Sequence, residues 1–278
     1  MECLTQQPGI LVRGAGEMAT GVALHLKAAG FHLLALQERA QPTAVRRGVC
    51  FSEAVHEGTW RVQGRTARHL PGPETCPACW RNGEIPVLTC PESETLAALR
   101  PDIFIEATLR KRPTPLGRHL AALVLALGPG FTVGRDAHFI VETHPDFCGR
   151  ILDSGQARAP QRPAEGQADR RHLYAPEDGL FRTAARLGDR YERGQPVGFL
   201  HTASHALALP APMTGMLRGL LRDGTPVRHG AKLADMDDRP HITPYTPSTR
   251  AATLGRAVAR LVRQWLQGEI HDPDRSPA

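Results

Sequence analysis

The chain has 278 residues, of which 41% are hydrophobic and 22% charged, as in globular proteins with room for two domains. Its net charge of +6 is spread along the sequence without a run of five basic residues, so we expect no nucleic-acid partner. The longest apolar run, LAALVLAL, is too short to span a bilayer, and the first residues lack a signal-peptide pattern. We therefore expect no membrane partner and a cytoplasmic location in which the six cysteines stay reduced.

The first predicted elements lie between Ile10 and Phe31, in ILVRGAGEMATGVALHLKAAGF. This stretch predicts a strand, a glycine turn, a helix and a glycine stop, and FHLLALQE after it predicts a second strand. The turn contains Gly14-x-Gly16-x-x-Ala19, a variant of the dinucleotide fingerprint that lies between a strand and a helix, as the mechanism requires. A turn whose glycines serve packing alone is the alternative.

A carboxylate in this turn disagrees with the phosphate interpretation. Glu17 would repel phosphate unless its side chain points away, whereas Glu38, at the end of the second strand, is placed to hold a ribose hydroxyl. A second glycine turn follows the strand LAALVLAL and is expected at the same sheet edge, with a plain strand-ending turn as the alternative. The predicted cofactor-binding residues are Gly14, Gly16, Glu17, Ala19, Thr20, Glu38, Gly128 and Gly130.

Two basic clusters could bind an anion. Arg46 and Arg47 follow the second strand, and Arg110 and Lys111 follow the strand DIFIEAT. Solvated loops are the alternative. Cys76-Pro-Ala-Cys79, with Cys90, has the composition of a redox or metal site, but a single CxxC provides too few ligands for zinc, so we predict no metal and leave the role of these cysteines open.

Strands that alternate with helices predict a Rossmann-like, mostly parallel α/β domain over residues 1–152, followed by a polar linker over 153–172. Residues 175–200 align without gaps on 211–236, and both copies have short strands separated by glycine turns. We therefore predict a small all-β repeat over 173–240, and its resemblance to biotinyl/lipoyl half-motifs implies a barrel-sandwich-hybrid-like domain. The connection HTASHALALP carries no lysine, so no biotin or lipoate is expected. Residues 241–278 are predicted as a C-terminal helix and tail.

Several motifs occur in the order seen in the YqeB-like family of selenium-dependent molybdenum hydroxylase system proteins. VRGAGEMATGVALHLKAAGF, PDIFIEATLRKR, LGPGFTVGRDAHFIVET and APMTGMLRGLLRDGTPVRHGAKLADMD carry the resemblance, which covers nearly all of residues 8–265. The N-terminal part is also similar to the nucleotide-binding half of XdhC-like accessory proteins. The resemblance implies a cytoplasmic role in maturing molybdenum hydroxylases such as xanthine dehydrogenase, and no established reaction.

The leading hypothesis is thus an accessory protein that binds a dinucleotide, either NAD(P) or a molybdopterin dinucleotide, and has a molybdenum hydroxylase client as partner. Two alternatives stay open, an NAD(P)-dependent oxidoreductase and a structural adaptor without a ligand. The sequence decides neither whether the protein is an enzyme nor its oligomeric state.

Overall fold

The computed structural model describes residues 7–109, 116–159 and 170–270. The chain forms two compact units. The first comprises residues 1–42, 51–161 and 247–278, and the second comprises 43–50 and 162–246. Within the described residues, no helix combines the length and apolar character needed to cross a bilayer.

Within its described residues, the first unit contains a nine-stranded sheet and five α-helices. The strands are β1 (Ile10–Arg13), β2 (Leu34–Gln37), β3 (Thr59–Val62), β4 (Arg65–Leu70), β5 (Ile85–Leu88), β6 (Ile103–Glu106), β7 (Leu123–Leu127), β8 (Phe139–Val141) and β9 (Ile151–Leu152). The helices are α1 (Glu17–Ala28), α2 (Ala54–Glu57), α3 (Cys76–Arg81), α4 (Glu92–Leu99) and α5 (Thr249–Leu266).

The sheet order is β3-β4-β5-β2-β1-β6-β7-β8-β9. Strands from β4 to β8 in this order are parallel, whereas the β3–β4 pair and the β8–β9 pair are antiparallel. Every residue of β1, β2, β5, β6, β7 and β8 is buried, which is the pattern of parallel strands covered on both faces. The β3–β4 hairpin turns at Gln63 and Gly64, both with positive φ, as a tight two-residue turn requires.

Helix α5 packs against α1 through small residues. A side chain at Gly21 would place its Cβ 2.5 Å from the carbonyl oxygen of Ala251, and a side chain at Gly255 would collide with the backbone of Gly21. The two helix backbones therefore approach as closely as they do because both glycines lack a Cβ.

The second unit contains two four-stranded antiparallel sheets, of order β10-β17-β15-β12 and β14-β13-β11-β16. The strands are β10 (His172–Tyr174), β11 (Gly179–Arg182), β12 (Arg190–Tyr191), β13 (Pro196–His201), β14 (Ala206–Pro210), β15 (Gly215–Leu220), β16 (Thr225–Val227) and β17 (Lys232–Asp237). Residues 43–50 add to this unit, because the Leu220 N–H donates to the Val45 carbonyl oxygen at 2.8 Å.

The predicted fold class, a Rossmann-like mostly parallel sheet followed by a biotinyl/lipoyl-like barrel-sandwich hybrid, is wrong. The first unit has a large mixed sheet with an antiparallel pair at each edge, and the second has two separate antiparallel sheets. The two copies of the repeat, residues 175–200 and 211–236, do not each form one sheet. Each sheet combines strands from both copies with one strand from outside them, β10 or β14.

Candidate functional site

The candidate site lies at the carboxyl ends of β1 and its two neighbours. From β1 the chain passes through α1 to β2 on one side, and it later returns to β6 on the other side. Such a reversal of strand order opens a crevice outside the carboxyl ends of the strands, where open α/β sheets bind their ligands.

Gly14 begins the glycine turn and has two structural reasons to be glycine. Its φ is +106°, a conformation that side chains rarely adopt, and a Cβ there would lie 3.4 Å from the backbone of Ala107 and Thr108. Its N–H donates to the Gln37 carbonyl oxygen at 2.7 Å, which ties the turn to the end of β2.

Gly16 ends the turn as the N-cap residue of α1, and the fold does not require a glycine there. Its φ of −68° and ψ of −176° suit any residue, and a Cβ would meet no atom of the described residues within 4 Å. No side chain caps the helix, although serine or aspartate at this position would stabilise it by roughly a few tenths of a kcal/mol. The first turn of α1 is thus open above Gly16.

The side chain of Glu38 lies on the glycine turn. Its Oε2 accepts a hydrogen bond from the Ala15 N–H at 3.0 Å, and its Oε1 accepts one from the Arg39 N–H at 2.9 Å. The side chain is 16% exposed, so the carboxylate is held by the backbone and still reaches the surface.

Glu17 points away from the turn, which removes the conflict that the sequence raised. Its Oε1 accepts a hydrogen bond from the Ser248 N–H at 2.8 Å, at the N-cap of α5. The Glu17 carboxylate therefore binds the backbone at the start of α5 instead of facing the glycine turn.

Ala19 and Thr20 form the inner side of the turn, and both are fully buried. The Thr20 hydroxyl donates to the Ala15 carbonyl oxygen at 3.2 Å and accepts from the Phe51 N–H at 2.8 Å. The Thr20 hydroxyl thus links the turn, at Ala15, to the backbone of Phe51.

A buried charged cluster that the sequence analysis missed lies beside the turn. Arg13, at the end of β1, donates to both oxygens of Glu92 at 2.5 Å and to Glu106 Oε2 at 2.8 Å. Its guanidinium lies 4.8 Å from the ring centroid of Phe104. Glu106 Oε1 accepts the Thr108 N–H at 2.8 Å. Burial acts to lower the Arg13 pKa, but the two carboxylates outweigh it and the pKa is raised. The sequence signal that could have indicated this cluster is that Arg13 and Glu106 each end an apolar strand.

A second polar group lies at the end of β2. Gln37 Nε2 donates to the Cys90 carbonyl oxygen, and Gln37 Oε1 accepts from the Thr95 hydroxyl, both at 2.6 Å. Buried amides and hydroxyls need such partners, and these two bonds join the end of β2 to α4 and the residues before it.

The second glycine turn has a packing explanation. Gly128 has a φ of +97°, and a Cβ there would lie 2.9 Å from Leu109 Cδ2 and 3.2 Å from Thr143 Oγ1. Gly130 also has a positive φ, of 90°. The turn thus needs glycine at both positions for conformational reasons.

The predicted anion-binding residues fall into two groups. Arg46 and Arg47 belong to the second unit, where the guanidinium of Arg46 donates to the carbonyl oxygens of Arg218 and Thr246. Arg110 and Lys111 lie outside the described residues.

The cysteines of the CPAC segment are core residues at the start of α3. Cys76 and Cys79 are buried, and burial, together with neighbouring charges, raises the pKa of each thiol to about 12. Among the described residues, no group of three or more His, Cys, Asp and Glu side chains could hold a metal ion.

A comparison with curated proteins finds the Escherichia coli protein named "Uncharacterized protein YqeB", 36% identical over 254 residues and 90% of this chain. The chain spans 46% of the length of that relative. No family model matches the chain.

Solved structures with detectable similarity belong to another group of proteins. They include an aspartoacylase family protein from Mesorhizobium loti, with 10% identity, a TM-score of 0.28 and 83% and 85% of the two chains covered. Another is the ectoine utilization protein EutE (DoeB) from Ruegeria pomeroyi, with 11% identity, a TM-score of 0.25 and 83% and 57% covered. At these scores the likeness carries no argument about this chain.

These findings correct the interpretation of the sequence as a molybdenum hydroxylase maturation protein with an XdhC-like N-terminal part. The curated relative has no assigned function, and the similar solved structures are desuccinylase/aspartoacylase family proteins. The maturation function and the keywords attached to it are not supported by these proteins. The predicted client, the expected absence of nucleic-acid and membrane partners, and the expected absence of biotin and lipoate stay predictions.

Proposed function

We propose that the first unit binds a small molecule that carries both a phosphate group and hydroxyl groups, at the carboxyl ends of β1 and β2. The phosphate would lie above Gly16, on the open first turn of α1, where backbone N–H groups and the helix dipole favour an anion. Glu38 would accept hydrogen bonds from the hydroxyls.

The observation that carries the proposal is the contrast between the two glycines of the turn. Backbone conformation and close packing explain Gly14, whereas neither explains Gly16. A glycine that costs helix capping and leaves free space above the backbone suits a ligand that approaches the backbone closely.

The orientations of the two glutamates support the same ligand. Glu17 is directed to Ser248, so its charge does not point into the turn, and Glu38 holds its carboxylate on the Ala15 N–H. A ligand hydroxyl could bind Glu38 from the exposed side without disturbing the fold.

The test is binding calorimetry with NAD⁺, NADP⁺, ADP, ribose 5-phosphate and inorganic phosphate as probes. We expect at least one of the phosphorylated ribose compounds to bind, and Gly16→Ala to weaken it by at least ten-fold. Glu38→Gln should weaken the ribose compounds and leave inorganic phosphate unchanged.

Gly9→Ala is the matched control, because Gly9 precedes the other end of β1 and its nearest neighbour to a Cβ lies at an ordinary 3.7 Å. Failure of all probes to bind, or an equal effect of Gly9→Ala and Gly16→Ala, would refute the proposal.

We place this function in the cytoplasm as part of the same proposal. Four described cysteines, Cys76, Cys79, Cys90 and Cys148, are free thiols, which suits a reducing compartment. Fractionation of cells that produce the protein tests the location.

A further inference from the structure

A groove lies along α5 at the C-terminal end of α1, within the first unit. Its volume is about 410 Å³. It is lined by His25 and, on α5, by Arg256, Arg260, Arg263, Gln264 and Gln267, together with three alanines. Small-molecule sites fall in the range of about 300–1,000 Å³, so the groove can hold a small ligand.

The three arginines of this groove have no acidic partner among the described residues. Arg256 Nη2 donates to the Thr253 hydroxyl at 3.1 Å, and Arg263 Nη2 donates to the Ala29 carbonyl oxygen at 3.2 Å. Exposed arginines elsewhere, such as Arg68 and Arg239, form ion pairs with carboxylates. The described residues that line the groove include no aspartate or glutamate.

Helix electrostatics explains only part of this arrangement. Arginine near a helix C-terminus interacts favourably with the last carbonyl groups, and Arg263 does so at Ala29. Arg256 lies in the first half of α5 and donates to a hydroxyl of its own helix, so that explanation does not apply to it.

We propose that the groove binds a small molecule with a phosphate or diphosphate group. Arg256, Arg260 and Arg263 are spaced i, i+4 and i+7, which puts them on one face of α5. The planar guanidinium group offers paired N–H donors that match phosphate oxygens, and Gln264 and Gln267 add neutral donors.

This site is separate from the one at the glycine turn. Gly16 caps the N-terminus of α1, and the groove lies at the other end of that 12-residue helix, about 18 Å along its axis. The two proposals can therefore fail independently.

The probe is inorganic pyrophosphate, measured by calorimetry at low salt with the full chain. We expect wild-type protein and Gly16→Ala both to bind it at the groove, and Arg256→Gln with Arg260→Gln to weaken binding by at least ten-fold. The control is Arg81→Gln with Arg193→Gln, which removes the same charge from two exposed arginines away from the groove. All four arginines are exposed, so the variants should unfold at the wild-type temperature.

Three outcomes would overturn the proposal. They are no saturable binding to wild-type protein, an equal loss in the two double variants, and a loss in Gly16→Ala alone, which would put the anion at the glycine turn.

Discussion

Glu17 Oε1 accepts the N–H of Ser248 at 2.8 Å, so a residue in the first turn of α1 caps the start of α5. A hydrogen bond to a charged acceptor contributes about 1.5–3 kcal/mol when it is shielded from water. Because Glu17 is half-buried, we expect Glu17→Ala to lower the free energy of unfolding by about 1–2 kcal/mol in urea titration. Glu94→Ala, at an exposed acid of α4, is the control, and an equal effect of the two changes would contradict the capping role.

The contact between α1 and α5 leads to a second prediction. A methyl group at Gly21 would overlap the Ala251 carbonyl, whereas one at Gly16, the N-cap residue of the same helix, meets no atom of the described residues. We expect Gly21→Ala to destabilise the protein by about 2 kcal/mol or more in urea titration, because the helices must separate, and Gly16→Ala to cost at most about 1 kcal/mol, because alanine is a poorer N-cap than glycine. Similar stability of the two variants would contradict the close packing.

The buried cluster of Arg13 gives a third prediction. Removing one partner of a buried ion pair costs about 3–5 kcal/mol, because an unpaired charge stays buried, whereas exposed pairs are worth up to about 1 kcal/mol. Arg13→Met leaves Glu106, which is 1% exposed, without its arginine. Arg68→Met breaks a bidentate pair of the same kind with Glu84, in which the arginine is 45% exposed. We expect urea titration to show a much larger loss for Arg13→Met, and equal losses would mean that water reaches the Arg13 cluster.

The sequence predicts those features that depend on residues close together in the chain, and it does not predict those that depend on distant residues. The strand, glycine turn and helix around Gly14 can be recognised because each depends on neighbours in sequence, such as the positive φ of Gly14 itself. The Arg13 cluster joins residues 79 and 93 positions apart, so no spacing indicates it. The direction of Glu17 depends on Ser248, 231 residues away, which is why the sequence could raise the conflict but not resolve it.

The overall fold was missed for the same reason. Whether an edge strand pairs in parallel or antiparallel depends on connections that local alternation does not encode, as β9 shows. Val45 lies between two segments of the first unit in sequence but pairs with Leu220 in the second, which composition does not indicate.

Thiol reactivity gives a fourth prediction. Burial raises the pKa of Cys76 and Cys79 to about 12, so few thiolates form near neutral pH and reagents cannot reach them. In the native protein we expect iodoacetamide to modify partly exposed Cys90 well before either of them, as mapped by mass spectrometry. Labelling in urea, where all three should react alike, is the control. Fast native labelling of Cys76 would contradict its burial.

The fifth prediction concerns acid stability of the second unit, where Asp235 is buried between Arg218 and His172. Burial alone would raise the Asp235 pKa, but the nearby His172 ring and the charges of Lys232 and Arg218 outweigh it and hold the pKa far below its usual range. The Asp237 pKa is lowered too, chiefly by Arg239. Since the unfolded chain takes up protons on these groups near pH 4 and the folded protein does not, the stabilisation is complete above about pH 5 and decreases as the pH falls below 4.

We expect urea titrations at pH 7 and pH 3.5 to show a smaller acid-induced loss for Asp235→Asn than for wild-type protein. Asp178→Asn, at an exposed aspartate of the same unit, should follow the wild type, and the same result for Asp235→Asn would mean that Asp235 does not control acid stability.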